Sequence, residues 1–222
     1  MLIREWMATD VLTVDENTSM MKALHLMKEN KIRRLPVMSH GKLVGIISDR
    51  DLKEASPSKA TTLDVHELYY LLAEIKIKEI MTKNPITIQP DETIERAAVV
   101  MLENKVSGLP VVNGKSELVG IVTQSDIFRA FVNITGIYRG GVQFAFSLDD
   151  RPGSIKEVAD TVREHGGRIV SILSSTDMAV EGTRNVYIRI RNLPQEDLEN
   201  LEKTLRQKFR VIYMVKDILK TV

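Results

Sequence analysis

Two short segments of the 222-residue sequence pair a hydroxyl with a carboxylate at one spacing, Ser48-x-x-Asp51 and Thr123-x-x-Asp126. An ionised carboxylate only accepts hydrogen bonds, so it suits the paired hydroxyls of a ribose. A hydroxyl beside the backbone N–H groups of a helix start can face a phosphate. The same spacing also writes a capping box, in which the hydroxyl and the acid close their own helix start. Both readings, nucleotide seat and plain cap, are open from the sequence. Arg33-Arg34 precedes the first segment, and the planar, permanently charged guanidinium is well matched to phosphate; an arginine pair on a solvated face is the plainer alternative. The second segment is preceded by Ser107-Gly108 at the corresponding places. The two candidate seats are therefore unequal in charge, and one phosphate anchor is the better.

The elements that would position these residues come twice. Arg33-Arg34-Leu35-Pro36-Val37 followed by Leu43 to Asp51 is echoed by Ser107-Gly108-Leu109-Pro110-Val111 followed by Leu118 to Asp126. A shift of 74 carries Met7 onto Met81, Met27 onto Met101 and Pro36 onto Pro110, and one inserted residue then carries Gly45 onto Gly120 and Asp51 onto Asp126. Two copies are too few for a solenoid, so the repeat predicts a pseudo-symmetric pair. Each copy opens on a short amphipathic turn (Ile3, Trp6, Met7; Ile77, Ile80, Met81) and a strand-like piece (Val11 to Val14; Ile86 to Ile88). A helix follows, with Met20, Leu24 and Met27, or Ile94, Ala97, Ala98 and Met101, on one apolar face. Thr18 and Thr93 stand where an N-cap belongs. Two β-branched strands joined by His40-Gly41 or Asn113-Gly114 complete a β-α-β-β-α unit.

Between the copies, Glu54 to Thr62 is a polar breaker stretch, and Leu68, Leu71, Leu72 and Ile75 predict a bridging helix over 63–76. After Asp126 a helix carries Phe128 and Phe131, and Gly136 and Gly140-Gly141 mark a boundary. The remaining segment changes character. Val142 to Phe146 alternates as a half-buried strand, and Asp149 to Gly153 is a turn. Ile155, Val158, Ala159 and Val162 predict a helix closed by Gly166-Gly167. Strands over Ile169 to Leu173 and Val186 to Ile190 flank a hairpin at Glu181-Gly182-Thr183, Pro194 opens a helix striped by Leu198, Leu201 and Leu205, and Val211 to Val215 is the last strand. The order β-α-β-β-α-β is the ferredoxin-like split arrangement. The fold class is thus α/β (α+β), with domains expected over 1–62, 63–135 and 136–222.

Composition narrows the function. A formal charge of +1 argues against nucleic acid or an anionic membrane as partner. The absence of cysteine excludes disulfides, thiol catalysis and cysteine-ligated zinc. The opening MLIREWMATD has an acidic residue and no apolar run, which is unlike a signal peptide, and no stretch approaches the roughly 18 to 20 apolar residues that span a bilayer. A cytoplasmic protein is expected. His66-Glu67 begins like H-E-x-x-H, but Tyr70 stands where the second histidine belongs. Neither a P-loop nor a dinucleotide fingerprint occurs, and no catalytic base, nucleophile or metal cluster can be read, so no enzyme is expected.

The doubled RRLPV…LVGIISDRD / SGLPV…LVGIVTQSD pattern resembles the tandem cystathionine-β-synthase-type (CBS) pair, or Bateman module, over about residues 1–135. That resemblance implies two clefts for adenosine-containing ligands: AMP, ADP, ATP or S-adenosylmethionine. By position it implies Asp51 and Asp126 on ribose, Ser48 and Thr123 near phosphate or ribose, and Arg33 and Arg34 on phosphate. Val11 and Thr13, with Pro85 and Thr87, would flank the adenine. DDRPGSIKEVADTVREHGGRIVSI resembles an ACT domain, whose Asp-x-Pro-Gly turn, here Asp150, Pro152 and Gly153, often holds an amino acid at a dimer interface. The order CBS–CBS–ACT is similar to the acetoin-utilisation proteins of bacteria (AcuB type), which implies a homodimeric regulator of acetoin or related carbon catabolism. A ligand-free scaffold that docks a partner enzyme is the alternative.

Overall fold

A computed structural model describes residues 1–56, 70 and 72–217. The chain divides into two compact units, Met1–Ile127 and Phe128–Val222, with the helix Gln124–Thr135 running through the division. Most of the bridging helix expected over 63–76, the end of the polar stretch before it, and His66-Glu67 lie outside the described residues.

In the first unit, strands β1 (Val14–Asp15), β2 (Arg34–Ser39), β3 (Lys42–Ser48) and β4 (Thr82–Lys83) form one sheet in that order. Strand β1 is parallel to β2, while β2–β3 and β3–β4 are antiparallel. Strands β5 (Gly108–Val112) and β6 (Leu118–Thr123) pair antiparallel. Their outer neighbours are single bridges, Ile88 to Val111 in parallel and Ala8 to Ile121 in antiparallel. Both copies therefore follow one plan, and the second has thinner edges. The inserted residue is absorbed at its hairpin: β2 and β3 turn through His40 and Gly41, both at positive φ, whereas β5 and β6 turn through the longer Asn113-to-Glu117 loop, in which Asn113 N–H donates to the Glu117 carbonyl.

The repeats exchange their opening segments. Strand β4, early in the second copy, completes the first copy's sheet, and Ile77 N–H donates to the Thr18 carbonyl while Lys78 N–H donates to that of Glu16. In return, Ala8 and Ile121 exchange both backbone bonds at 3.0 Å, and Ile3 N–H donates to the Glu92 carbonyl. The methionines fix this packing: a Cβ on Gly45 would lie 2.3 Å from Met81 Sδ, and one on Gly120 would lie 2.5 Å from Met7 Sδ. Only glycine lets these side chains reach the facing strand. The first copy's core, Met20, Met27, Leu35, Val37, Ile47 and Leu52, accordingly includes Ile77 from the second copy. Burying each of the larger side chains contributes about 1.5–3 kcal/mol.

Two expectations need correction. The helix Met20–Glu29 is capped by Ser19, whose Oγ accepts from Lys22 N–H at 3.3 Å, and not by Thr18. Thr93 does cap Ile94–Glu103, accepting from Arg96 N–H at 3.1 Å. The shift of 74 itself carries Ser19 onto Thr93. The strand pieces are also shorter than read: β1 begins only at Val14, and of Ile86 to Ile88 only Ile88 makes a bridge. Val11, Thr13 and Thr87 face solvent wholly or in part and have no ladder to join.

The second unit runs β7 (Val142–Asp149), helix Ser154–Glu164, β8 (Ile169–Ser175), β9 (Thr183–Ile190), helix Gln195–Lys208 and β10 (Arg210–Lys216). The strands form one antiparallel sheet in the order β10-β7-β9-β8. This is the expected β-α-β-β-α-β arrangement. Phe144, Phe146 and Leu148 alternate onto the face that packs against Val158, Val162, Leu198, Leu201 and Leu205 of the two helices, and Phe144 stacks on Phe146 with ring centroids 6.2 Å apart. Leu201→Ala at this interface would cost about 2–5 kcal/mol.

Candidate functional site

The end of β3 delivers Ser48 to the start of the helix Asp49–Glu54. Ser48 N–H and Ser48 Oγ–H each donate to Asp51 Oδ2 at 2.7 Å, and Asp51 N–H returns to Ser48 Oγ at 3.4 Å. The second copy repeats the bonds: Thr123 N–H donates to Asp126 Oδ2 at 2.7 Å and Thr123 Oγ1–H at 2.6 Å. The capping box is thus complete in the first copy, and its carboxylate half is present in the second.

The two carboxylates differ in what else they meet. Asp51 and Ser48 line a cleft of about 630 Å³ within the first unit, whereas Asp126 is only 3% exposed. The first copy gives this cleft Arg34, Ile46, Asp49 and Arg50. The second gives Thr82, Asn84, Pro85 and Ile86, the helix end at Met101, Leu102 and Lys105, and Ser107 to Pro110 with Gln124. Its volume falls in the range of small-molecule sites. The lining combines an apolar part, Pro85, Ile86, Met101, Leu102 and Val106, with a polar part, Ser48, Asp51, Arg34 and Arg50. A flat heteroaromatic ring suits the first part, and hydroxyls with phosphate suit the second.

Arg34 decides the asymmetry between the copies. It crosses to the other repeat, where Nη1 donates to the Ser107 carbonyl at 2.5 Å and Nη2 to Ser107 Oγ at 2.5 Å. Gly108, its own counterpart under the repeat shift, lies beneath it: a Cβ there would sit 2.4 Å from Arg34 Nη1 and 2.8 Å from Cδ. Two arginines at matched places would collide, so the pair keeps one. Burial pushes the Arg34 pKa down from its ordinary value, and the neighbouring Asp49 carboxylate pushes it back. The guanidinium stays charged at any working pH.

Of the residues singled out in the sequence, the cleft brings together Arg34, Ser48, Asp51 and Pro85. Arg33 is exposed, and Val11, Thr13, Thr87, Thr123 and Asp126 stand outside this cleft's lining. Arg50, Lys105, Ile86 and Met101 were missed as site residues. Arg50 lies inside the repeated motif and carried a signal; Lys105 and Met101 come close only because the copies clasp. In the second unit, Asp150, Pro152 and Gly153 line a depression of about 370 Å³ with Arg184. There Asp150 pairs with Arg184 at 3.0 Å, and Arg151 binds Glu157 through two bonds of 2.8 Å. Among the described residues no group of three or more His, Cys, Asp and Glu side chains is poised to hold a metal, and no helix is long and apolar enough to cross a membrane.

The sequence model described as "CBS domain" matches residues 3–58 and 77–133. Among curated relatives, a CBS domain-containing protein of Dictyostelium discoideum is 34% identical over 134 residues, covering 60% of this chain and 92% of its own length. Protein MJ1225 of Methanocaldococcus jannaschii is 34% identical over 187 residues, covering 75% of this chain. The chain spans 66% of MJ1225. Among solved structures, the CBS domain pair of MJ0100, in complex with 5'-methylthioadenosine and S-adenosyl-L-methionine, is 34% identical with a TM-score of 0.50, covering 60% of this chain and 97% of that one. CBSX2 in complex with AMP, from a protein of Arabidopsis thaliana, is 31% identical with a TM-score of 0.50, covering 60% and 98%. A conjectured acetoin utilization protein (AcuB) from Vibrio cholerae is 29% identical with a TM-score of 0.51, covering 62% and 95%.

Proposed function

The chain belongs to the CBS domain family, and from that premise we propose that it is a non-catalytic sensor whose paired repeats bind an adenine nucleotide. The observation that carries the reading is the cleft that is lined by Ser48, Asp51 and Arg34 together with the apolar Ile86 and Met101. Adenine lies against Ile86 and Met101, the ribose hydroxyls donate to Asp51, and Arg34 and Arg50 take the phosphate. The ligand is AMP, ADP or ATP, with S-adenosylmethionine the other adenosine compound to be tried. The MJ0100 and CBSX2 pairs, similar in sequence and fold, hold such compounds. Thr123 and Asp126, with Arg33 and the Val11–Thr13 segment, form the weaker second seat.

Binding acts through a difference in affinity between two arrangements of the repeats. Arg34 is the natural lever, because phosphate competes with Ser107 for its guanidinium. The domains are taken as 1–62, 63–135 and 136–222, the last an ACT-like domain that holds the chain as a homodimer and seats an amino acid at Asp150, Pro152 and Gly153. The regulated process is acetoin or related carbon catabolism in the cytoplasm, for which the likeness to the Vibrio cholerae protein is the support. One observation favours a second reading, a ligand-free scaffold for a partner enzyme: both carboxylates already close their own helix starts.

Isothermal titration with AMP, ADP, ATP, NAD and S-adenosylmethionine separates the two. Saturable heat with at least one of them, weakened by Asp51→Ala, is expected. No heat with any of them would leave the scaffold standing.

A further inference from the structure

The second unit holds an open pocket of about 450 Å³ between the end of the Gln124–Thr135 helix and the sheet face turned away from the other two helices. Phe131, Ile137, Leu173 and Tyr187 give it walls that are almost wholly apolar, with Gln143 and Arg189 beside them. Arg189 is 4% exposed. Its Nη1 donates to the carboxylate of Asp217, which is itself buried, so the charge is already balanced. Arg189 Nε is buried and has no hydrogen-bond partner among the described residues. Buried donors are paired as a rule, and an exception calls for a missing acceptor.

We propose that this pocket binds a small uncharged organic molecule with an apolar body and a single carbonyl or hydroxyl oxygen, the oxygen accepting from Arg189 Nε–H. Asp217 excludes the charged alternatives. A ligand carboxylate would set two anions on one guanidinium, and a ligand ammonium would meet a like charge. The volume lies toward the lower end of the range for ligand sites, which restricts the ligand to a few carbon atoms beyond its polar group. The pocket shares no lining residue with the nucleotide cleft.

The test is a titration of the ¹⁵N-labelled full chain with 2-pentanone, cyclohexanone and pentanoate, following the arginine Nε–H resonances. The Arg189 resonance is identified by its loss in the double variant Arg189→Met/Asp217→Asn, which removes both buried charges together. The two ketones are expected to shift that resonance saturably, with pentanoate about tenfold weaker or worse. The double variant should lose the ketone affinity while keeping a native circular dichroism spectrum. Should that variant not fold, Phe131→Ala, at an exposed wall, serves instead and should weaken the ketones about tenfold. The proposal is overturned by the absence of any saturable shift, by pentanoate binding as tightly as the ketones, or by an affinity unchanged in the folded variant.

Discussion

Gly108→Ala should destabilise the first unit in the native sequence and stabilise it once Arg34 has been removed. In the native chain the new methyl would lie 2.4 Å from Arg34 Nη1, 2.8 Å from Cδ and 2.9 Å from Cζ. Backbone is not what it strikes, so the arginine gives way and loses both bonds to Ser107. Hydrogen bonds from a charged donor contribute roughly 1.5–3 kcal/mol each. The displaced guanidinium recovers hydration, which leaves a net cost of about 1–2 kcal/mol. In an Arg34→Ala background the three atoms nearest the new methyl are gone. Replacing glycine then restricts the unfolded chain and adds about 0.4–1 kcal/mol. The double-mutant cycle should therefore show a coupling of about 1.5–3 kcal/mol and a reversal of sign. Urea unfolding followed by tryptophan fluorescence suits the assay, because the chain has one tryptophan and Trp6 belongs to the first unit. Alanine at 108 acting with the same sign in both backgrounds would refute the packing account of Arg34.

Ser19→Ala should cost about 1 kcal/mol as the loss of an N-cap, whereas Thr18→Ala should cost little, since Thr18 serves Ile77 through its carbonyl; urea midpoints decide this. Gly141 has φ 127°, and a Cβ there would lie 1.9 Å from the Ile190 carbonyl oxygen. Gly141→Ala should thus destabilise the second unit by about 3 kcal/mol or more, read by near-ultraviolet circular dichroism. Asp51→Ala should weaken the bound nucleotide about 10- to 100-fold by titration, the loss of charge-assisted bonds to ribose. The Arg151 hydrogen bond holds the Glu157 carboxyl below its ordinary pKa. A lowered folded pKa gives stability that is present above the ordinary carboxylate range and lost as pH falls through the lowered value. Glu157→Gln should accordingly lower the melting temperature slightly at neutral pH, and the difference should vanish in acid.

The repeat made most of the first unit legible. Identical phrases at fixed offsets dictate similar local structure, and the period-2 and period-3.6 patterns gave the paired strands β2–β3 and β5–β6, the helices that precede them, and the strands and helices of the second unit, but not the short edge pieces β1 and β4. The exchange of opening segments was hidden, because Met7 and Met81 read as ordinary apolar residues until Gly120 and Gly45 are seen beneath them. The Ser107-Gly108 departure was visible as a charge difference. Its cause was not, since a steric demand between repeats leaves no mark on either repeat alone. Ser48 and Asp51 were found by spacing, while Lys105 and Met101 reach the cleft only through tertiary packing. Arg189 gave no signal: it sits in an alternating strand where a basic residue ordinarily points to water, and its burial depends on Asp217, 28 residues away.

A structure of the full chain crystallised with AMP tests the central claim most directly. The account predicts the ribose hydroxyls within hydrogen-bond distance of the Asp51 carboxylate, the adenine between Ile86 and Met101, and the phosphate on Arg34, with its hold on Ser107 loosened. Nucleotide seated elsewhere, or a cleft left empty at saturating AMP while Asp51 still caps Ser48, would contradict it.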